Sequence, residues 1–166
     1  MREILTKRLR LEPQLVSHAE AMFGVLSVSA IYLYENQAPQ SVEWLRNRFM
    51  KLETRQSPNG SEKWLNWVAR PPSGELIGFV QATVNTDHHA NIAYVFSSQH
   101  WGQGLAFESV EAMIAELVDQ FKVNSLSAVL KTNNVQSLRL LERLNFALAT
   151  LPASIEADEI LIQRKL

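Results

Sequence analysis

Polar and apolar residues alternate at the start of the chain and give way to longer periods further on. Thr6 to Leu11 alternates, with Leu9 and Leu11 on one face, and predicts a strand closed by Pro13. Ser17-His-Ala-Glu20 has the spacing of a capping box, in which serine and glutamate satisfy two exposed backbone donors. It predicts a helix through Ala21, Met22, Val25 and Leu26. Ser41 caps a longer helix through Trp44, Leu45, Phe49 and Leu52, with Glu43 matching the N-terminal dipole.

Lys63 to Arg70 alternates again, Pro71-Pro72-Ser73-Gly74 reads as a turn, and Glu75 to Val84 returns as the second arm of a hairpin. Ala90 to Phe96 is a further short strand. From Leu105 the period becomes 3.6, with Ala106, Val110, Met113, Ile114, Leu117, Val118 and Phe121 on one face. Ser125 to Leu130 predicts a strand and Ser137 to Leu144 a helix, with Asn145 where a left-handed C-terminal cap is expected. Phe146 to Thr150 and Ile160 to Leu166 would close the sheet as a final pair. This order predicts a mixed α/β sheet, antiparallel early, with a crossover through the long helix.

Composition narrows the field without naming a function. The 166 residues are 46% hydrophobic and 20% charged, as in ordinary globular chains, and no linker or repeat divides them, so one domain over 1–166 is expected. Cysteine is absent, which excludes disulfides, thiolate metal sites and a cysteine nucleophile. Sixteen basic against seventeen acidic residues leave a net charge of −1, without the electrostatic footprint of a nucleic-acid binder. The apolar run Ala21 to Tyr34 is too short and too polar to span a bilayer, and Met1-Arg2-Glu3 does not lead into a signal core. A cytoplasmic protein with no membrane partner is the expectation.

One stretch departs from this ordinary picture. From His88 to Phe107 there is no Asp, Glu, Lys or Arg, although the segment is only about half apolar. Within it, Trp101-Gly102-Gln103-Gly104-Leu105-Ala106 lies between a strand and a helix. Glycines there admit positive φ and a close backbone approach, and the free N–H groups of a first helical turn form an anion site. On the residues alone, a tight strand-to-helix turn explains the two glycines equally well.

The loop resembles motif A of the GCN5-related N-acetyltransferase (GNAT) superfamily, Q/R-x-x-G-x-G/A. Two registers fit, Gln99-x-x-Gly102-x-Gly104 or the one from Trp101 ending Gly104-x-Ala106. The second puts its last position inside the helix and makes His100 to Ala106 similar to the "HWGKGYA" form of the branch acetylating ribosomal-protein N-termini, with Trp101 replacing Gln or Arg. Three further segments match in order. Asn134 to Phe146 resembles "N-x-x-S-x-x-x-L-E-K-L-G-F", Thr6 to Leu11 resembles "T-x-R-L-x-L-R", and Glu75-Leu-Ile-Gly78 resembles "G-E-L-I-G".

The resemblance implies a mostly antiparallel twisted sheet of about seven strands flanked by about four helices. It implies acetyl-CoA as cosubstrate and direct attack by a primary amine, a peptide N-terminus or a small amine, in a ternary complex. The main chain of Tyr94, Val95 and Phe96 would pair with the pantetheine arm, and Gly102, Gln103, Gly104, Leu105, Ala106 and Phe107 would cradle the pyrophosphate. The usual tyrosine acid falls on Leu141, so Ser137 is the candidate for holding the departing thiolate and Asn134 for a polar contact to the pantetheine. Both also suit a plain helix cap. Asn91 stands where relatives often carry a glutamate base, with His88 and His89 beside it, only one of which can point inward. No metal site is expected. Glu156, Asp158 and Glu159 fit an acceptor pocket or a solvated loop. A detoxifier of amine drugs and a CoA-binding module without catalysis remain alternatives. A homodimer is common in the superfamily, but no interface is marked in the sequence.

Overall fold

A capping serine and an alternating hairpin organise the first half of the chain, as the computed structural model shows for residues 1–33, 37–150 and 156–166. The strands are β1 (Ile4–Leu5), β2 (Arg10–Pro13), β3 (Glu62–Arg70), β4 (Gly78–Asn85), β5 (His89–Phe96), β6 (Ser125–Lys131), β7 (Ala147–Leu148) and β8 (Glu159–Lys165). The helices are α1 (Ala19–Leu26), α2 (Val42–Glu53), α3 (Leu105–Phe121) and α4 (Val135–Arg143). One eight-stranded sheet has the order β1-β2-β3-β4-β5-β6-β8-β7 and is antiparallel except between β5 and β6, which α3 joins by a crossover.

Eight strands replace the expected seven because Thr6 breaks the first one. Its hydroxyl donates to the Leu9 carbonyl at 3.0 Å and folds residues 6–9 into a turn, leaving β1 and β2 as separate pieces. The Ser17 cap is also corrected. A short 3₁₀ turn over Val16–His18 precedes α1, and the His18 Nδ1 accepts from the Leu15 N–H at 3.1 Å. Ser41 does cap α2, accepting from Trp44 N at 3.0 Å. Asn145 does adopt positive φ (63°) after α4.

Period two decides which face each strand residue covers. Trp67, Val80, Ala82, Ile92 and Leu126 point to α3 and α4 and form the larger core with Val110, Met113, Leu117 and Leu141. Val68, Phe79 and Val95 point the other way and pack with Met22, Leu45 and Phe49 of α1 and α2. Glu75 to Ile77 lie outside the strand, and β4 begins at Gly78, where a side chain would meet the Phe96 backbone, its Cα 2.9 Å away. No helix among the described residues is long and apolar enough to cross a membrane.

Candidate active site

The parallel pair that closes the crossover is short. His89, Ala90 and Asn91 pair with Ser125, Leu126 and Ser127, and the pairing ends there. β5 stays with β4 as far as Phe96 while β6 follows β8 to Lys131, so the two strands diverge. Into the space beside this split points the start of α3. Gly102 (φ 73°) and Gly104 (φ 75°) are left-handed, and Gly104 is the N-cap without a side-chain cap bond. The first-turn N–H groups of α3 and the positive end of its dipole are therefore left for an anion.

A cleft of about 370 Å³ lies along this line. It is lined by Tyr94 to Phe96, Gly102, Gly104 to Phe107, Asn134 and Ser137, two segments separated in the sequence by residues 108–133. Gln103 is the exception among the expected cofactor residues. Its side chain donates to the Gln99 carbonyl at 3.1 Å and its own carbonyl accepts from Arg8, so it braces the loop from outside. Ala106 lies inside α3, as the second register requires.

The chain supplies cations here that the charge-free stretch concealed. Arg139 and Arg143 of α4 line the cleft, and the Arg143 guanidinium lies 4.3 Å from the centre of the Phe107 ring. Arg8 Nη1 donates to the Gln103 carbonyl at 2.8 Å and Nη2 lies 3.5 Å from where a Gly104 side chain would begin. Glu108 fixes Arg8 through Nε at 2.7 Å and its backbone N–H at 2.8 Å. No acidic residue lines the cleft among the described residues. The Arg8 signal was present as the arginine of the opening strand motif, but nothing in one dimension joins it to residue 103.

Trp101, at the position of the usual Gln or Arg, takes a different task. Its indole N–H donates to the Phe96 carbonyl at 2.8 Å, holding the end of β5 against the loop. His100 also lines the cleft, with a buried Nδ1 that has no hydrogen-bond partner among the described residues.

At the far end of the cleft, Asn134 is the N-cap of α4 and accepts from Ser137 N at 3.1 Å. The cap reading of Asn134 therefore holds, and only its amide nitrogen stays available. The Ser137 side chain lines the cleft and interacts with the Tyr94 hydroxyl. Opposite, the Tyr94 hydroxyl donates to the Ser137 carbonyl at 3.4 Å, and burial pushes its pKa up to about 12. Two hydroxyls thus meet beside the split. Leu141 is fully buried in the larger core and does not face the cleft.

Of the two histidines, only His89 lies on the sheet face shared with Asn91. Its ring nitrogens sit 2.9 Å from Ser125 Oγ and 2.8 Å from Ser127 Oγ, and Ser127 donates to Asn91 Oδ1. His88 occupies a turn with φ 64° and an Nδ1 near the Phe121 carbonyl. The acids between the last strands share one cation, since Lys131 Nζ lies 2.8 Å from Glu156, 3.1 Å from Asp158 and 3.3 Å from Glu159. The connection preceding them includes residues 151–155, which lie outside the described residues.

Comparison with known proteins decides the family. The model of the acetyltransferase (GNAT) domain matches residues 8–147. The chain belongs to the GNAT acetyltransferase family. It is an acetyltransferase whose cosubstrate is acetyl-CoA, and the glycine cradle, uncapped helix and cations of the cleft suit that cosubstrate's phosphates. The chain is 25% identical over 144 residues to the N-acetyltransferase YoaA of Bacillus subtilis (strain 168), itself uncharacterized, covering 85% of this chain and 80% of that one. Among solved structures it resembles RimL, a ribosomal L7/L12 alpha-N-protein acetyltransferase in complex with coenzyme A. That likeness has a TM-score of 0.86 at 16% identity over 99% of this chain and 98% of that one. It also resembles a ribosomal-protein-S5-alanine acetyltransferase from Vibrio fischeri, with TM-score 0.83 and 15% identity over 98% and 96% of the two chains. At these identities the likenesses show the fold.

Proposed function

We propose that the enzyme acetylates the α-amino group of a peptide N-terminus. The observation that carries this reading is the absence of any carboxylate among the described residues lining the cofactor cleft itself, together with Asn91 where relatives often carry a glutamate base. With no carboxylate in the cleft to draw off its proton, an acceptor that arrives already neutral is favoured. A peptide α-amine, with a pKa of about 8, is about half neutral near pH 8, whereas a lysine-type amine at about 10.4 is less than about 1% neutral. The solved neighbours that act on ribosomal proteins support the same class of acceptor.

In this reading the amine nitrogen forms a bond to the thioester carbonyl carbon while the carbon–sulfur bond breaks. The proton lost by the amine ends on the departing thiolate, so no external base is consumed. Ser137 Oγ donates to that sulfur and the amide nitrogen of Asn134 contacts the pantetheine, while the Tyr94 hydroxyl, too weak an acid to ionise at neutral pH, spends its proton on the Ser137 carbonyl and positions the serine. Tyr94 to Phe96 supply the backbone edge for the pantetheine arm, and the first turn of α3 takes the pyrophosphate.

Thiol release from acetyl-CoA across a panel of free-N-terminus peptides, Nα-blocked lysine and spermidine tests the reading. Peptides should lead the others by on the order of 10²-fold in kcat/KM at pH 7.5, from the difference in neutral amine alone. Equal rates with spermidine would favour a small-amine detoxifier. CoA binding without turnover on any amine would leave a binding module.

A further inference from the structure

Between α2 and the sheet lies a second chamber of about 240 Å³ whose walls include Tyr32, Trp44, Phe49 and Phe79. It shares Ile31 and Val95 with the cofactor cleft, so the two spaces adjoin at the strand against which the cosubstrate is proposed to lie. Its size suits a leucine or phenylalanine side chain with the adjoining backbone.

The floor of this chamber holds a donor without a partner. Gln14 is 2% exposed, and its amide nitrogen is buried with no hydrogen bond among the described residues. Its main chain is fully engaged: the N–H donates to the Asn66 carbonyl at 2.9 Å and its carbonyl accepts from Arg55. A buried amide donor left unmade carries a desolvation penalty, which an incoming oxygen removes.

Register places Gln14 at one end of a row. Gln14 bonds to Asn66, Asn66 lies opposite Gln81, and Gln81 lies opposite Ala93. Ala93 is the second residue past the last β5–β6 pair, in the diverging segment. Neighbouring strands are about 4.8 Å apart, so Gln14 stands roughly 14 Å from Ala93, a span of about four residues of extended chain. A row of carboxamides can both donate to and accept from peptide groups. Charge points the same way. Arg48 lies over Trp44 at the chamber wall, 5.8 Å from the ring centre, and the chamber has no acidic lining residue among the described ones.

We propose that this chamber is the acceptor's specificity pocket, taking the bulky apolar side chain beside the reacting amine while Gln14 Nε2 donates to a peptide carbonyl oxygen of the same acceptor. The inference rests on acetyl transfer to a peptide N-terminus and adds which peptides are chosen. Leucine- or phenylalanine-led termini bury apolar area against Phe79 and Trp44, and serine- or glycine-led termini do not.

The test uses the full chain, acetyl-CoA and tetrapeptides differing only in their first residue. Leu- and Phe-led peptides should exceed Gly- and Ser-led ones by ~10-fold or more in kcat/KM. Gln14→Met, nearly the same shape without the donor, should raise the peptide KM by ~10-fold while CoA affinity by calorimetry stays put. Trp44→Ala, at a partly exposed wall, should narrow the Phe-over-Gly preference, and it guards against a fold defect at residue 14. Equal rates for all first residues, or an unchanged peptide KM in both variants, overturns the pocket while leaving peptide acetylation intact. Turnover confined to amines other than peptides overturns the proposed function and the pocket together, an outcome the wild-type panel separates from the first two.

Discussion

Arg8 and Gln103 are 95 positions apart, yet the Arg8 guanidinium donates to the Gln103 carbonyl at 2.8 Å while Glu108 holds the same side chain at 2.7 Å. The opening turn of the chain therefore braces the glycine loop. Removing the brace should loosen the loop before it loosens the fold. Arg8→Ala is expected to weaken CoA binding by ~10-fold in calorimetry, and Arg8→Lys by a similar factor, because the planar fork serves both partners at once. An unchanged dissociation constant in Arg8→Ala would detach this residue from the site.

Gly78 should tolerate no side chain. A Cβ there would meet Val95 and Phe96 in the segment read as the pantetheine edge, with the Phe96 Cα 2.9 Å away. Gly78→Ala is expected to lower stability by about 2–3 kcal/mol in urea titrations and to weaken CoA binding. Wild-type values for both would show that β5 can give way.

Ser137→Ala should reduce kcat by ~10²-fold with little change in the KM for acetyl-CoA, as expected of a donor used only as charge develops on sulfur. Tyr94→Phe is expected to have a smaller effect of the same kind. If the serine variant turns over at the wild-type rate, leaving-group stabilisation belongs elsewhere.

Leu141 marks where many relatives carry a tyrosine, but here it is fully buried. Leu141→Tyr should therefore overpack the larger core and lower stability by about 1–3 kcal/mol without raising turnover. Faster transfer in a fully stable variant would contradict the burial.

Two carboxylates make stability depend on acid. A hydrogen bond from the Arg70 guanidinium holds Glu12 below the ordinary value of 4.5. Burial pushes Glu108 up, but hydrogen bonds from Thr6 and Arg8 outweigh it and leave it low as well. With folded values depressed, the unfolded chain binds more protons in this range. The stabilisation is complete above about pH 4.5 and disappears as pH falls through the lower folded values. Melting temperatures between pH 7 and 3 should fall more steeply for the wild type than for Glu108→Gln. Parallel slopes would remove Glu108 from the account.

Much of this arrangement was legible in one dimension because it is written in local chemistry. Ser41, the Pro71–Gly74 turn, the 3.6 period after Leu105 and Asn145 each act within a few residues, and the elements they predict are present within a few positions. The glycine loop and the Asn134–Ser137 segment could be paired because both matched one family's motifs. What escaped depends on register and on contacts across the sheet. The cations of the cleft come from positions 139 and 143 and the brace of its loop from position 8, outside the charge-free run, and no spacing rule connects them to it. Lys131 is drawn into the acidic cluster that the sequence left open between an acceptor pocket and a solvated loop. The carboxamide row exists only once β2, β3 and β4 are aligned.

The brief β5–β6 pairing has a consequence for the protein without its cosubstrate. Two strand edges that face each other without bonding carry backbone groups ready to template any passing strand, the liability most sheets bury at their rims. Here that liability lies in the middle of the sheet, where divergence keeps the two edges from satisfying each other. Trp101 blunts one end by engaging the Phe96 carbonyl. The rest is left for a ligand that behaves as a strand, so the pantetheine arm would act as a guard against self-association as well as a carrier of the acetyl group.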